Sequence, residues 1–155
     1  MAERKNILAK VHAAASFLAL LMIAVFFLST ISVELFGSHD AVAALKALIV
    51  MPGLFILVPA IAATGGSGFQ LAKLRTGSLV VAKKKRMPFI AANGLLILIP
   101  CAIVLNRLAA AGSFDTTFYA VQALELAAGF INIILIGMNI RDGLRLTGRL
   151  RAAIH

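Results

Sequence analysis

Four apolar runs, at about 12–34, 41–63, 88–110 and 116–139, alternate along the chain with short polar stretches. Each is roughly 20 residues or slightly more, which is what an α-helix needs to cross a ~30 Å hydrocarbon core. None shows the alternation of short strands that a membrane β-barrel carries. The pattern predicts an all-α integral membrane protein, a single domain of four transmembrane helices in an up-down-up-down bundle. A basic loop at 64–87 and a basic tail at 140–155 complete the expected layout.

Within the runs, polar residues keep helical spacing. On the fourth, Glu125, Asn132 and Asn139 recur every seven residues and Gln122 sits one turn before Glu125, so all four share a stripe. On the third, Asn93, Pro100 and Arg107 repeat by sevens, as do His39, Lys46 and Gly53 on the second. The first carries His12, Ser16, Thr30 and Glu34 on one broad face. A polar line on a lipid-spanning helix must face protein or water. Depth sorts these residues into an outer group, with Glu34, Lys46, Arg107, Gln122 and Glu125, and an inner group, with His12, Asn93 and Asn139; Asn132 lies between them.

Between runs one and two, and again between three and four, Gly is followed by Ser and Asp (Gly37-Ser38-His39-Asp40 and Gly112-Ser113-Phe114-Asp115). Gly ends one helix and Ser or Asp caps the next, so each pair reads as a tight helical hairpin. The longer connection opens with Thr64-Gly65-Gly66-Ser67-Gly68, which reads as a hinge-like break in the helix. Pro52, Pro59 and Pro100 are expected to kink runs two and three. Small residues at Gly53, Ala60, Gly94, Ala102 and Gly129 would let helices approach closely.

Composition agrees with a membrane protein. Hydrophobic residues make up 61% of the 155, against roughly 45–50% in soluble proteins. The net charge of +9 is not a nucleic-acid signal, because 13 of the 15 Lys and Arg, all but Lys46 and Arg107, fall on one side of the four runs. By the positive-inside rule that side is the cytoplasm, so both termini are expected there, in a bacterial inner membrane. Lys83, Lys84, Lys85 and Arg86 form the densest basic cluster and suggest contact with anionic lipid headgroups. Cys101 is the sole cysteine, which rules out a disulfide or CxxC centre within the chain and reads as packing.

The candidate chemistry is sparse. Glu125 lies about two and a half turns into its helix, and a carboxylate there needs a partner or a proton. Lys46 and Arg107 enter from the same side and can reach it, so Glu125, Gln122, Lys46, Arg107 and Asn132 form a candidate intramembrane polar site. It would be a proton-coupling site or, as the stronger reading, an ion pair joining helices. His12, with Asn93 and Asn139 at the same end, could serve haem b or a quinone, with Met87 or Met138 as a second axial ligand. A histidine satisfied by backbone or headgroups is favoured over that cofactor reading. No catalytic Ser/His/Asp set, paired catalytic carboxylates or metal-ligand spacing is visible. The sequence therefore favours a non-enzymatic accessory or scaffold component, in a homo-oligomer or larger membrane complex. Its alternatives are a proton-coupled transporter using Glu125 and an electron carrier using His12.

Overall fold

The computed structural model describes residues 2–73 and 76–148, and all regular structure among them is helical. Helix α1 runs Ala2–Phe36 without interruption. The second span is α2 (His39–Leu48), a π-helical segment (Ile49–Leu54) and α3 (Phe55–Lys73). The third repeats that design with α4 (Ser78–Asn93), a π-helical segment (Gly94–Leu98) and α5 (Ile99–Ala110). The fourth is one helix, α6 (Thr116–Leu146). Four helices, Asn6–Phe36, His39–Lys73, Ser78–Ala110 and Thr116–Leu146, are long and apolar enough to cross a membrane.

The tight turns form as their sequences require. The Ser38 hydroxyl accepts from the Ala41 amide at the start of α2, and an Asp115 carboxylate oxygen accepts from the Phe118 amide at the start of α6. Each satisfies an amide that a helix start leaves without an intrahelical acceptor. Gly112 takes φ +67°, a left-handed conformation that closes the second turn. Asp115 also accepts from the Ser113 hydroxyl at 3.1 Å.

Two expectations are corrected. The Gly65-Gly66-Ser67-Gly68 stretch is not a break: α3 passes straight through it to Lys73, and α4 resumes at Ser78. Instead of a loop over 64–87 there is a short connection after Lys73. Glycine lowers helix propensity by only about 1 kcal/mol per residue, and the packing of α3 against α1 outweighs that. Helix α6 runs on past Met138 as far as Leu146, and Arg75, Arg149 and Arg151 lie outside the described residues. The real break lies one span-half earlier, at Met51, whose φ −137° and ψ 112° are extended. The Met51-Pro52 peptide is cis. A residue before proline is pushed away from helical angles, and proline has no N–H to continue the ladder. Pro59 sits inside α3, and Pro100 follows directly on the π-helical segment at the start of α5.

The packing differs between the two ends. At the tight-turn end, Val42, Leu105, Ala109 and Phe118 close a core among α2, α5 and α6. Beyond the Met51 break, α3 lies along α1, and Ala19, Ile23, Leu57 and Ala60 pack there with Ile136 of α6. Helix α4 lies instead on α6 and meets α3 only weakly. The space left between these two pairs of helices is a cavity of about 930 Å³, lined by residues of all four spans.

Candidate functional site

Polar side chains cross-link the spans at three levels. At the tight-turn end, Lys46 Nζ donates to Glu125 Oε2 at 2.7 Å, joining α2 to α6. Lys46 is 0% exposed. Gln122 Nε2 donates to the same oxygen at 3.1 Å from one turn away, as the spacing of the stripe dictates. Glu34, from the end of α1, lies close enough to feel the charges of both Lys46 and Glu125. Two buried oxygens of this cluster, Glu34 Oε1 and Gln122 Oε1, have no hydrogen-bond donor. The outermost Asp115 is held below the usual carboxylate range by the Phe118 amide and the Ser113 hydroxyl.

The middle level is neutral. Asn93 Nδ2 donates both to the Ala128 carbonyl at 2.8 Å and to Asn132 Oδ1 at 2.9 Å, tying α4 to α6. Asn132 is 1% exposed. The third level, at the basic end, has two ties. His12 Nδ1 lies 3.1 Å from both the Thr64 carbonyl and the Ser67 hydroxyl, fastening α1 to α3. The carbonyl has no proton to give, so Nδ1 carries an N–H. Arg86 donates to Asp142 Oδ2 at 2.6 Å and to Asn139 Oδ1 at 3.2 Å, fastening α4 to α6. Arg141 adds a longer contact to Asp142 at 3.5 Å.

The sequence-based groupings survive in part. Lys46, Gln122 and Glu125 meet as the heptad spacing requires. Arg107 does not join them: its side chain is exposed, and among the described residues it makes no ion pair with Glu125. The face of α5 that Leu105 and Ala109 bury points into the bundle, and Arg107 lies off that face. Asn132 belongs to the Asn93 level rather than to the Glu125 cluster. His12, Asn93 and Asn139 do not form one site, since each is bound to a different partner. Of the basic cluster, Arg86 turns its guanidinium inward to Asp142, whereas Lys84 and Lys85 are exposed and Lys83 is half-buried. Asp142 was missed. Its signal was present: an acid in an otherwise basic stretch, three residues after Asn139 and therefore on the same face.

The cavity connects these levels. Glu125 lines it near the tight-turn end, Asn132 and Asn139 line it further along, and His12, Lys10 and Lys84 line its basic end. From Glu125 to Gly143 it follows α6 for about 27 Å at 1.5 Å per residue. The wall between is apolar, with Leu57, Ile61, Ile90, Leu98 and Ile136. Gly68 lets the His12 ring approach: a Cβ there would stand 2.9 Å from His12 Cε1 and 3.3 Å from Met87 Cε. Among the described residues, no three His, Cys, Asp or Glu side chains are grouped to hold a metal ion. No protein-family model, curated protein or solved structure matches the chain.

Proposed function

We propose that this chain is a non-enzymatic accessory component of a bacterial inner membrane, an up-down-up-down bundle that holds a hydrophobic small molecule between its helices. The basic end lies in the cytoplasm with both termini, following the distribution of Lys and Arg. One observation carries the binding role: a cavity of about 930 Å³, walled by all four spans and largely apolar. Sites for small molecules range over roughly 300–1,000 Å³ and combine apolar walls with a few placed polar groups. The ion pairs at the two ends and the Asn93–Asn132 bond between them support the same reading, since they fasten the helices that wall the cavity.

The test is extraction of the protein in a mild neutral detergent, followed by native mass spectrometry and solvent extraction. A stoichiometric hydrophobic molecule is expected with the native chain. It should be lost from a cavity-filled Ala62→Phe/Ala91→Phe variant whose helical circular dichroism is unchanged. A native chain carrying nothing, even after incubation with membrane extract, would sink the binding role.

A second reading, proton-coupled transport through Glu125, draws on the two donorless oxygens, Glu34 Oε1 and Gln122 Oε1, beside the Lys46–Glu125 pair. One added proton would supply a donor there. This reading requires that Glu125→Gln leave a folded protein that no longer takes up protons in liposomes.

A further inference from the structure

Building on the cavity as a ligand site, we propose that its occupant is a long-chain lipid with an anionic head. The head sits at the basic end and the hydrocarbon body runs between the helices towards Glu125. Charge complementarity carries the argument. The cations among the described lining residues, Lys10, Lys83 and Lys84, all stand at the basic end, together with His12. Among the described residues, no carboxylate lines that end. Asp142, the acid of α6 at this level, does not line the cavity and is bound to Arg86 and Arg141. The one acid among the described residues of the wall, Glu125, stands at the far end and is neutralised by Lys46.

Positive charge gathered at the mouth of a low-dielectric cleft focuses the field and favours an anion there. A neutral quinone would give Lys10 and Lys84 no anionic group to meet. A free inorganic anion would leave the apolar wall between Leu57 and Ile136 unfilled. An amphiphile answers both halves of the site, and each buried methylene adds about 0.8 kcal/mol of apolar transfer. The length of about 27 Å along α6 suits an extended chain. The volume lies at the upper end of the roughly 300–1,000 Å³ range of small-molecule sites, which favours one chain over two. Lys10 and Lys84 are exposed at the mouth, where a headgroup can meet them without entering the bundle.

The test uses the full chain in nanodiscs of zwitterionic phosphatidylcholine, titrated with oleoyl lysophosphatidate and with monooleoylglycerol. The two probes share a tail and differ in the phosphate. Lysophosphatidate is expected to bind one per chain and about ten-fold more tightly. Lys10→Glu/Lys84→Glu should erase that preference while leaving monooleoylglycerol binding unchanged, and Ala62→Phe/Ala91→Phe should abolish binding of both. Equal affinity for the two probes overturns the anionic head but leaves the cavity reading standing. Tighter binding of two-chain phosphatidate, or a quinone in the extract of the native protein, also overturns this proposal. Binding of neither probe, with nothing co-purified, brings down the cavity reading as well.

Discussion

Lys46 and Glu125 show what a charge requires inside an apolar bundle. Removing a charged side chain from water costs several kcal/mol, and attraction repays this only with close geometry and further hydrogen bonds. The 2.7 Å contact and the Gln122 amide provide both. Substituting one partner, as in Glu125→Leu, strands the other and should cost about 3–5 kcal/mol. The double variant Lys46→Met/Glu125→Leu should regain most of that, read from thermal unfolding in detergent. A double variant as unstable as the single would show that the pair is held for something other than charge balance. The neutral Asn93–Asn132 bond is a weaker tie, since interhelical hydrogen bonds in membranes average about 0.6 kcal/mol.

At the scale of the helix, Gly65 and Gly66 decide between a hinge and a continuous α3. A Cβ at either meets nothing within 4 Å. Gly65→Ala and Gly66→Ala should therefore each stabilise the protein by about 0.5–1 kcal/mol, measured by the same unfolding assay. A loss of stability would place those residues outside a helix. Asp115 offers a pH test at the start of α6. Its folded pKa lies below the unfolded value, so its stabilisation is present above the unfolded pKa and disappears as pH falls through the folded one. Asp115→Ala should lower the melting temperature at neutral pH, and the gap to the native chain should close on acidification below about pH 4.

These elements also mark what the sequence could reveal. Run lengths gave the four spans, and Gly-Ser-Asp turns gave their caps, because both depend on local chemistry. Helical periodicity put Gln122 one turn from Glu125 on the same face, and depth from the tight-turn end put Lys46 within reach of both. Two glycines were overweighted as breakers, because the contacts of α3 with α1 are non-local. Arg107 was misassigned for a related reason: depth was legible, but rotation of α5 about its axis was not. Asp142 escaped notice because its partner, Arg86, lies 56 residues away and looked like part of a surface cluster.

For the whole molecule, the basic end is the feature from which orientation is predicted. Reporter fusions at the N-terminus and after the last span should both report a cytoplasmic location, and a reporter placed in the Gly112-Ser113 turn should report the opposite side. Fusion signals from opposite sides for the two termini would refute the four-span topology. The outward surface agrees with a lipid solvent: Phe55 is 68% exposed and Leu96 74%, whereas Lys46, Asn132 and Asp142 are almost wholly covered. In water, exposed apolar surface on that scale would drive association.

This inverted burial has a consequence for mutational tolerance. In a water-soluble domain, the positions that resist exchange are the apolar ones and the permissive ones are polar. In a bilayer the outward Phe, Leu, Ile and Val residues would contact fluid hydrocarbon, so one could replace another with little effect. Among the inward polar residues, Lys46, Asn93, Glu125, Asn132 and Asp142 are each matched to a partner on another span. A saturation scan should thus show long permissive stripes along every helix, interrupted at Lys46, Asn93, Glu125, Asn132 and Asp142. Those same stripes are where the chain could be rewritten with hydrophilic residues to make a water-soluble copy that keeps its interior.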